Sequence, residues 1–268
     1  MSVEIHPTAI VDPKAVIGDG CKIGPYAVVG PNVVMGENNI LMAHSMISGW
    51  TTIGNGNVFY PFSHIGGEPQ DLKFHGEETY IVIGDNNVFR ESVTVNRGTV
   101  SGGGTTRLGS RNMLMACSHV AHDCEIEDDI IIANMAGLGG HCKVEKGAKI
   151  MGLTGINTFT TVGRYAFVCG MSRIAWDVPP FMFVEGYPSR VRKLNRIGIQ
   201  RAGFSQERID ALEEAFQLLW RSKQYTKPEA MRILEQRPNL TEDVKYLIEF
   251  LRRMDLGVHG RYRESLRK

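Results

Sequence analysis

An aliphatic or large apolar residue returns at every sixth position along most of this chain, and few folds accept that period. Ile5, Val11, Ile17, Ile23, Val29, Met35, Leu41, Ile47, Ile53, Phe59 and Ile65 form one unbroken run. The phase is lost and then resumes at Ile83, Phe89 and Val95. After a second break it continues through Leu108, Leu114, Val120, Ile126, Ile132, Leu138, Val144, Ile150, Ile156, Val162, Val168 and Ile174. An amphipathic helix would repeat at 3.6 residues and a lone strand at 2, so neither accounts for the pattern. A hexapeptide period specifies a parallel β-helix, in which each hexad makes a short strand and a turn. Three hexads close a triangular coil of eighteen residues, stacking each apolar side chain on its counterpart roughly 4.8 Å away.

Two positions before the apolar residue the side chain is usually small or turn-forming, as at Ala9, Ala15, Ala27, Ser45, Thr51, Ser118 and Ala136. Cys21, Cys124 and Cys142 occupy the same slot and are expected simply to fit a tight corner. The two breaks in phase, residues 66–80 and 96–107, read as loops leaving the coil, the second rich in glycine. Insertions in a solenoid tend to gather on its functional face.

Repeats stop at Ile174, and Asp177-Val178-Pro179-Pro180 punctuates the exit. Farther on the period becomes helical. Ser205 caps a segment with Ile209, Leu212, Phe216, Leu219 and Trp220 on one face. Thr226 with Glu229 reads as a capping box, with Pro228 in the first turn, and a third helix follows Thr241. The expected architecture is mainly β: a parallel β-helix over 1–190 and a small α-helical domain over 191–268 that caps the open coil.

The formal net charge of +1 conceals a change of sign. Residues 1–185 hold 12 Lys+Arg against 18 Asp+Glu, giving −6, whereas residues 186–268 hold 18 against 11, giving +7. That reversal supports the domain boundary and suggests an acidic partner for the tail, a nucleic acid or an acidic carrier protein. The arginines at 252, 253, 261 and 263 read equally well as a solvated face. No apolar run of about eighteen residues is present, so no membrane-spanning helix is expected. The start, MSVEIHPTAI, lacks the layout of a signal peptide, and five cysteines without a CxxC pair fit a reducing compartment. The expected location is the cytoplasm.

Histidines are the natural place to look for acid–base chemistry. Three of eight fall close together in coil geometry, His119, His122 and His141, and none is at an inward apolar position. Residue 140 lies one coil beyond residue 122, and it is Gly140. No side chain then covers the His122 imidazole, and the Gly140 N–H points into the space left open. A base beside an uncovered backbone donor is the minimum for acyl transfer, with Asp123 orienting the ring. The plainer reading is that Gly140 merely permits a turn. A rival chemistry uses His119, His122 and His141 as zinc ligands, as in the gamma-type carbonic anhydrases, which share the coil. The spacing does not resemble that family's, and neither a metal nor another cofactor is expected.

Gln70-Asp71-Leu72-Lys73, Arg90-Glu91-Ser92-Val93-Thr94-Val95, Arg97-Gly98-Thr99, Ala121-His122-Asp123-Cys124 and Arg201-Ala202-Gly203-Phe204-Ser205 carry a more specific signal. With the Asp177 to Pro180 exit, they make the chain resemble the UDP-N-acetylglucosamine O-acyltransferases of lipid A biosynthesis over nearly its whole length. The resemblance implies a left-handed coil and a homotrimer with active sites between subunits. It implies that His122 takes the proton of the glucosamine 3-hydroxyl, that Asp123 supports it, and that the Gly140 N–H receives the oxyanion. It places Asp71 and Lys73 on the sugar and its phosphates, with His119, His141 and Asn157 lining the cleft. Asn195 and Arg201 would help bind nucleotide or donor, and Gly170 would read acyl-chain length. The donor would be an (R)-3-hydroxyacyl thioester on acyl carrier protein, whose acidity matches the basic tail. Asn96 and the pair Asn157-Thr158 stand where the family has His and His-Gln. Those replacements leave open an amino-substituted UDP-sugar as acceptor, or a non-catalytic paralogue.

Overall fold

The computed structural model describes residues 2–238 and 240–267. Its first two-thirds is a triangular prism of short parallel strands, a left-handed β-helix, its coil expected from the hexads and its hand from the resemblance. Face A begins at Glu4–Ile5 and has 11 strands, face B begins at Ile10–Val11 and has 9, and face C begins at Val16–Ile17 and has 8. The chain visits the faces in that order on every coil. Ile5 pairs with Ile23 and His119 with Gly137, a step of eighteen residues. Phe59 still pairs with Phe89 and Val95 with Val120. The two insertions are therefore looped out, and apart from a local shift between Ile65 and Gly67, where the first one leaves, the register of the stack is kept.

The inward positions form one continuous core, in which Phe59, Ile65, Phe89, Leu114, Ile132 and Val168 are fully buried. Parallel sheets closed into a prism bury every strand on its inner side, and this accounts for the unbroken apolar phase. The small slots before the apolar residues form the corners. Cys124 and Cys142 are buried there, their thiols donating to the carbonyls of Gly139 and Asn157, as fits a structural role.

At the corner between faces C and A the slot is filled by a column of buried asparagines, Asn39, Asn57, Asn87 and Asn112. Each side-chain oxygen accepts the backbone N–H one coil further on, at 2.8 Å from Asn57, 2.9 Å from Asn87, 2.8 Å from Asn112 and 2.8 Å from Ile130. The column satisfies corner amides that the strand ladders do not reach.

Three expectations change in detail. Strands persist further into the insertions than the hexad phase indicates: Gly66 and Gly67 belong to His64–Gly67, Asn96 to Thr94–Asn96, Tyr80 to Tyr80–Ile83 and Thr105 to Thr105–Leu108. Pairing of Tyr80 with both Trp50 and Thr105 holds these ends after the repeat is lost. The prism also does not end near 190. Met182–Gly186 continues face A and Ser189–Leu194 returns antiparallel to it, so residue 190 lies within a strand.

The helical region begins at α1 (Arg196–Arg201) and continues with α2 (Gln206–Phe216), α3 (Lys227–Glu235), α4 (Glu242–Leu256) and α5 (Tyr262–Ser265). Ser205 and Thr241 cap α2 and α4, and the Glu229 carboxylate accepts from the Thr226 N–H and hydroxyl. Lastly, Arg261 and Arg263 are not a solvated face: both turn back onto the prism. Arg252 pairs with Glu235.

Replacing Asn57 by Ala is expected to lower thermal stability, because the Asn87 N–H loses its acceptor and the Asn87 side-chain amide keeps only the Gly109 carbonyl. The loss should be about 1–3 kcal/mol for each orphaned donor. Calorimetry of the variant tests this, and an unchanged unfolding midpoint contradicts it.

Candidate active site

One corner of the prism, between faces B and C, collects nearly everything the sequence marks as chemical. Both insertions leave there, between His64–Gly67 and Tyr80–Ile83 and between Thr94–Asn96 and Thr105–Leu108. The next two coils turn the same corner at 121–124 and 139–142, carrying His122 and Asp123, then Gly140 and His141.

Asp123 is the anchor. It is 3% exposed and sits at φ 60°, a left-handed backbone that turns its carboxylate toward the second insertion. Its two oxygens accept the Thr99 N–H at 2.8 Å and the Thr99 hydroxyl at 2.6 Å, and its own N–H donates to the Thr106 hydroxyl at 2.8 Å. A Cβ at Gly102 would fall 2.0 Å from the Asp123 carboxyl carbon, so only glycine lets the loop close over it. Burial pushes this carboxyl up. The bonds from His122 and Thr99 and the proximity of His141 outweigh that and hold it below the usual aspartate range.

An ionised carboxylate accepts only, which fixes the His122 tautomer. Nδ1 lies 2.7 Å from Asp123 Oδ2 and must carry a proton, so in the neutral ring the lone pair is on Nε2. Nε2 has no partner among the described residues. Gly140 does stack on His122, but the space is not empty. The ring itself fills it: a Cβ at 140 would lie 2.5 Å from Cε1 and 2.8 Å from Nε2. The Gly140 N–H donates to no acceptor among the described residues, whereas the next amide, His141 N–H, reaches the His122 carbonyl at 3.0 Å. A lone pair and an unused backbone donor thus adjoin on consecutive coils, the pairing that proton removal and oxyanion stabilisation require.

His141 stands edge-on to His122 with ring centroids 5.1 Å apart, and its Nδ1 is 3.8 Å from Asp123 Oδ2. Its other face stacks on Phe159 at 4.3 Å. Burial lowers its pKa, and although Asp123 opposes this, His122, Arg263 and Arg267 reinforce it. His119 lies on the adjoining strand, with Nδ1 bonded to the Thr94 hydroxyl at 2.8 Å, and burial and His122 lower its pKa as well. Among the described residues the one group of three possible metal ligands with atoms within 4.8 Å of one another is His122, Asp123 and His141. His119 falls outside it, so the three-histidine set weighed above is not assembled.

Asp71 and Lys73 lie on the first insertion and line a cleft of about 270 Å³ with Phe74, Glu77, Thr99, Val100 and Ser101. Thr99 belongs to this cleft and also holds Asp123, so the cleft adjoins the histidine corner. Arg97 ties the two insertions together: it is 5% exposed, reaches Glu68 and the Gly66 carbonyl, and lies over Trp50 and Phe74. Asn157 lies on the same corner one coil past Gly139, half-buried.

The remaining expected site residues are not drawn to this corner within the chain. Asn195 caps α1 and donates to the Tyr165 carbonyl at 2.8 Å, committing both ends of its amide to backbone. Arg201 is exposed, and its side chain makes no hydrogen bond or ion pair among the described residues. Gly170 is exposed at the neighbouring corner, between faces A and B. A second cleft, of about 300 Å³ between Trp176, Trp220, Leu251 and Met254, contains none of these residues.

Sequence reasoning quoted Thr99 but missed its role in holding Asp123, and it missed Phe159 and Arg263. Phe159 was accessible in principle, since it lies eighteen residues beyond His141. The Thr99 and Arg263 contacts cross from a loop and from the tail, where no period applies.

The description Udp N-acetylglucosamine O-acyltransferase, Domain 2, matches residues 177–259, and that of the bacterial transferase hexapeptide matches residues 2–35. An acyl-[acyl-carrier-protein]--UDP-N-acetylglucosamine O-acyltransferase from Synechocystis sp. is 54% identical over 83% of this chain and 80% of its own length. One of the same name from Anaeromyxobacter sp. is 45% identical over 95% of this chain and 98% of its own. The crystal structure of a UDP-N-acetylglucosamine acyltransferase from Bacteroides fragilis superimposes with a TM-score of 0.89 at 37% identity, covering 92% of this chain and 96% of that one. Coil, corner and relatives together make this an acyltransferase of the hexapeptide-repeat class. The chain belongs to the acyl-[acyl-carrier-protein]--UDP-N-acetylglucosamine O-acyltransferase family.

The buried setting of His119 and His141 predicts that both rings are neutral at pH 7. Histidine NMR of the labelled protein should find both titrating below the ordinary imidazole value. A midpoint at or above that value for either ring contradicts the electrostatics described.

Proposed function

We propose that the protein transfers an (R)-3-hydroxyacyl chain from acyl carrier protein to the glucosamine 3-hydroxyl of UDP-N-acetylglucosamine, the first step of lipid A biosynthesis. The observation that carries this reading is the adjacency of a free His122 Nε2 and an unused Gly140 N–H, with the His122 tautomer set by Asp123. Nε2 removes the hydroxyl proton as the oxygen attacks the thioester carbon. The Gly140 N–H donates to the resulting oxyanion. The tetrahedral intermediate collapses with cleavage of the C–S bond, and the proton on His122 passes to the departing thiolate. Products are the ester and the free carrier thiol, and no redox step or metal is called upon.

Other features suit the substrates. The cleft at Asp71 and Lys73 offers a cation for sugar phosphates beside the corner. Beyond His119, the outward positions on face B are Gly137 and Gly155, where an added Cβ would meet nothing within 4 Å. This bare strip extends the site for three strand spacings, ~14 Å, to the level of Arg173, space that suits an acyl chain. Gly170 lies at that end, and a side chain there would press on the Gly152 carbonyl, 3.1 Å from its Cβ. The net +7 of residues 186–268 suits an acidic carrier protein. Asn195 and Arg201, remote from His122 in one chain, act in this reading across the subunits of a homotrimer. No helix among the described residues is long and apolar enough to cross a membrane, consistent with action in the cytoplasm.

One observation favours a second acceptor. Asn96, which replaces the family's histidine, is 6% exposed, and its Oδ1 has no donor among the described residues. Turned outward to the cleft, that acceptor could be filled by a 3-amino UDP-sugar, which offers two N–H donors where the 3-hydroxyl offers one and would receive the chain as an amide.

Purified protein, acyl carrier thioesters and both UDP-sugars decide among these readings. Acylated UDP-N-acetylglucosamine is expected, with turnover falling on the order of 10²–10⁴-fold in His122→Ala and unchanged by a chelator. Exclusive use of the amino sugar would favour the second acceptor, and chelator-sensitive turnover would point to metal chemistry. Absence of turnover with any nucleotide sugar would sink the reading. Gly170→Met is expected to shift the preference toward shorter chains in a competition between thioesters, and an unaltered preference removes Gly170 from that role.

A further inference from the structure

The similarity to the family's second domain stops at residue 259, yet the structure continues into an ordered segment that returns to the active-site corner. After α4 the chain reverses at 257–260 and lays Gly260–Arg267 along the corner between faces B and C. Three contacts fasten it. The Asp177 N–H donates to the Gly260 carbonyl at 2.8 Å, the Tyr262 N–H donates to Asp177 Oδ2 at 3.0 Å, and the Arg261 guanidinium donates to the Ala175 carbonyl at 2.6 Å. Arg263 then reaches past these coils. Its Nε donates to the His141 carbonyl at 2.9 Å and its Nη2 to Glu125 Oε1 at 2.9 Å.

Those two acceptors belong to different coils. Glu125 follows His122 and Asp123 on one; His141 follows Gly140 on the next. We propose that Arg263 is a positioning residue for acyl transfer, its planar fork fixing the coil that carries the base against the coil that carries the oxyanion donor. This inference rests on the catalytic reading of His122 and Gly140. A guanidinium suits the task because its donors are held in one plane, which a lysine ammonium cannot reproduce. The same segment aims Arg267 at Phe159, 5.8 Å from the ring centroid, and Phe159 stacks on His141. Two cations thus lie near His141, Arg263 fixed at its carbonyl and Arg267 over Phe159, and both add to the burial that lowers its pKa. A neutral His141 leaves Asp123 to His122.

Neither arginine is placed against substrate, so the loss in Arg263→Gln should appear in kcat with KM little changed. The expected fall is on the order of 10-fold or more, since small displacements of reacting groups are costly. The NMR titration of His141 should move to higher pH in the same variant while that of His119 stays in place. Arg263→Lys should keep the His141 midpoint near wild type, because the charge remains, and still lose kcat, because the fork does not. Should Arg263→Gln fail to fold, Arg263→Lys alone decides, through its kcat. A variant with kcat within twofold of wild type overturns the proposal. So does a fall in kcat accompanied by equal movement of His119 and a collapsed melting temperature, which reports general loosening. The His141 titration needs no turnover: an inactive wild-type protein would defeat the catalytic reading, whereas an immobile His141 midpoint defeats this one.

Discussion

Strand stacking at a step of eighteen residues, widened only where the two insertions leave, is the constraint from which the rest of this protein follows. Each coil is too thin to have a core of its own, so its apolar residues are buried only because the coils above and below present theirs in the same phase. The register is kept by parallel backbone ladders on three faces and by an asparagine column at one corner. A consequence is that chemistry can be placed only at corners and on outward positions. Residues that must meet across coils must therefore stand eighteen apart, or be brought in by a loop. His122 and Gly140 meet in the first way, and Asp123 and Thr99 in the second.

The corner between faces B and C is where the regular stack is interrupted, and the two facts are connected. Insertions of ordinary loop would weaken a solenoid if they entered a face. Here they leave from a corner, and strand pairing resumes in register on the far side. The freed loops supply Thr99 and Gly102 for the Asp123 carboxylate, and Asp71 and Lys73 for a cleft alongside it. Buried Arg97 locks one loop to the other, so the cleft rests on a rigid wall.

The sequence made the prism legible because period is a long-range signal, repeated in over twenty hexads. It made the His122 and Gly140 contact legible for the same reason, through simple addition of eighteen. Its limits were equally physical. The hexads locate side chains but do not say which volume a side chain fills, so the pocket inferred above His122 proved to be occupied by the ring itself. The period ends at Ile174, so it did not reveal the strand pair 182–194, nor that Arg261 and Arg263 double back along the prism. Asn195 and Arg201 were read by resemblance alone, and within one chain they stand away from the corner, the first as a helix cap.

Above all, the chemistry requires the imidazole of one coil to lie directly against the bare backbone of the next. Gly140→Ala tests it, because the added methyl would stand 2.5 Å from His122 Cε1 and must displace the ring. A crystal structure of that variant, with its single-turnover rate of acyl transfer, is the direct measurement. An intact β-helix, a rotated His122 and a rate slower on the order of 100-fold or more are expected. An unmoved ring, or acyl transfer at the wild-type rate, would contradict it.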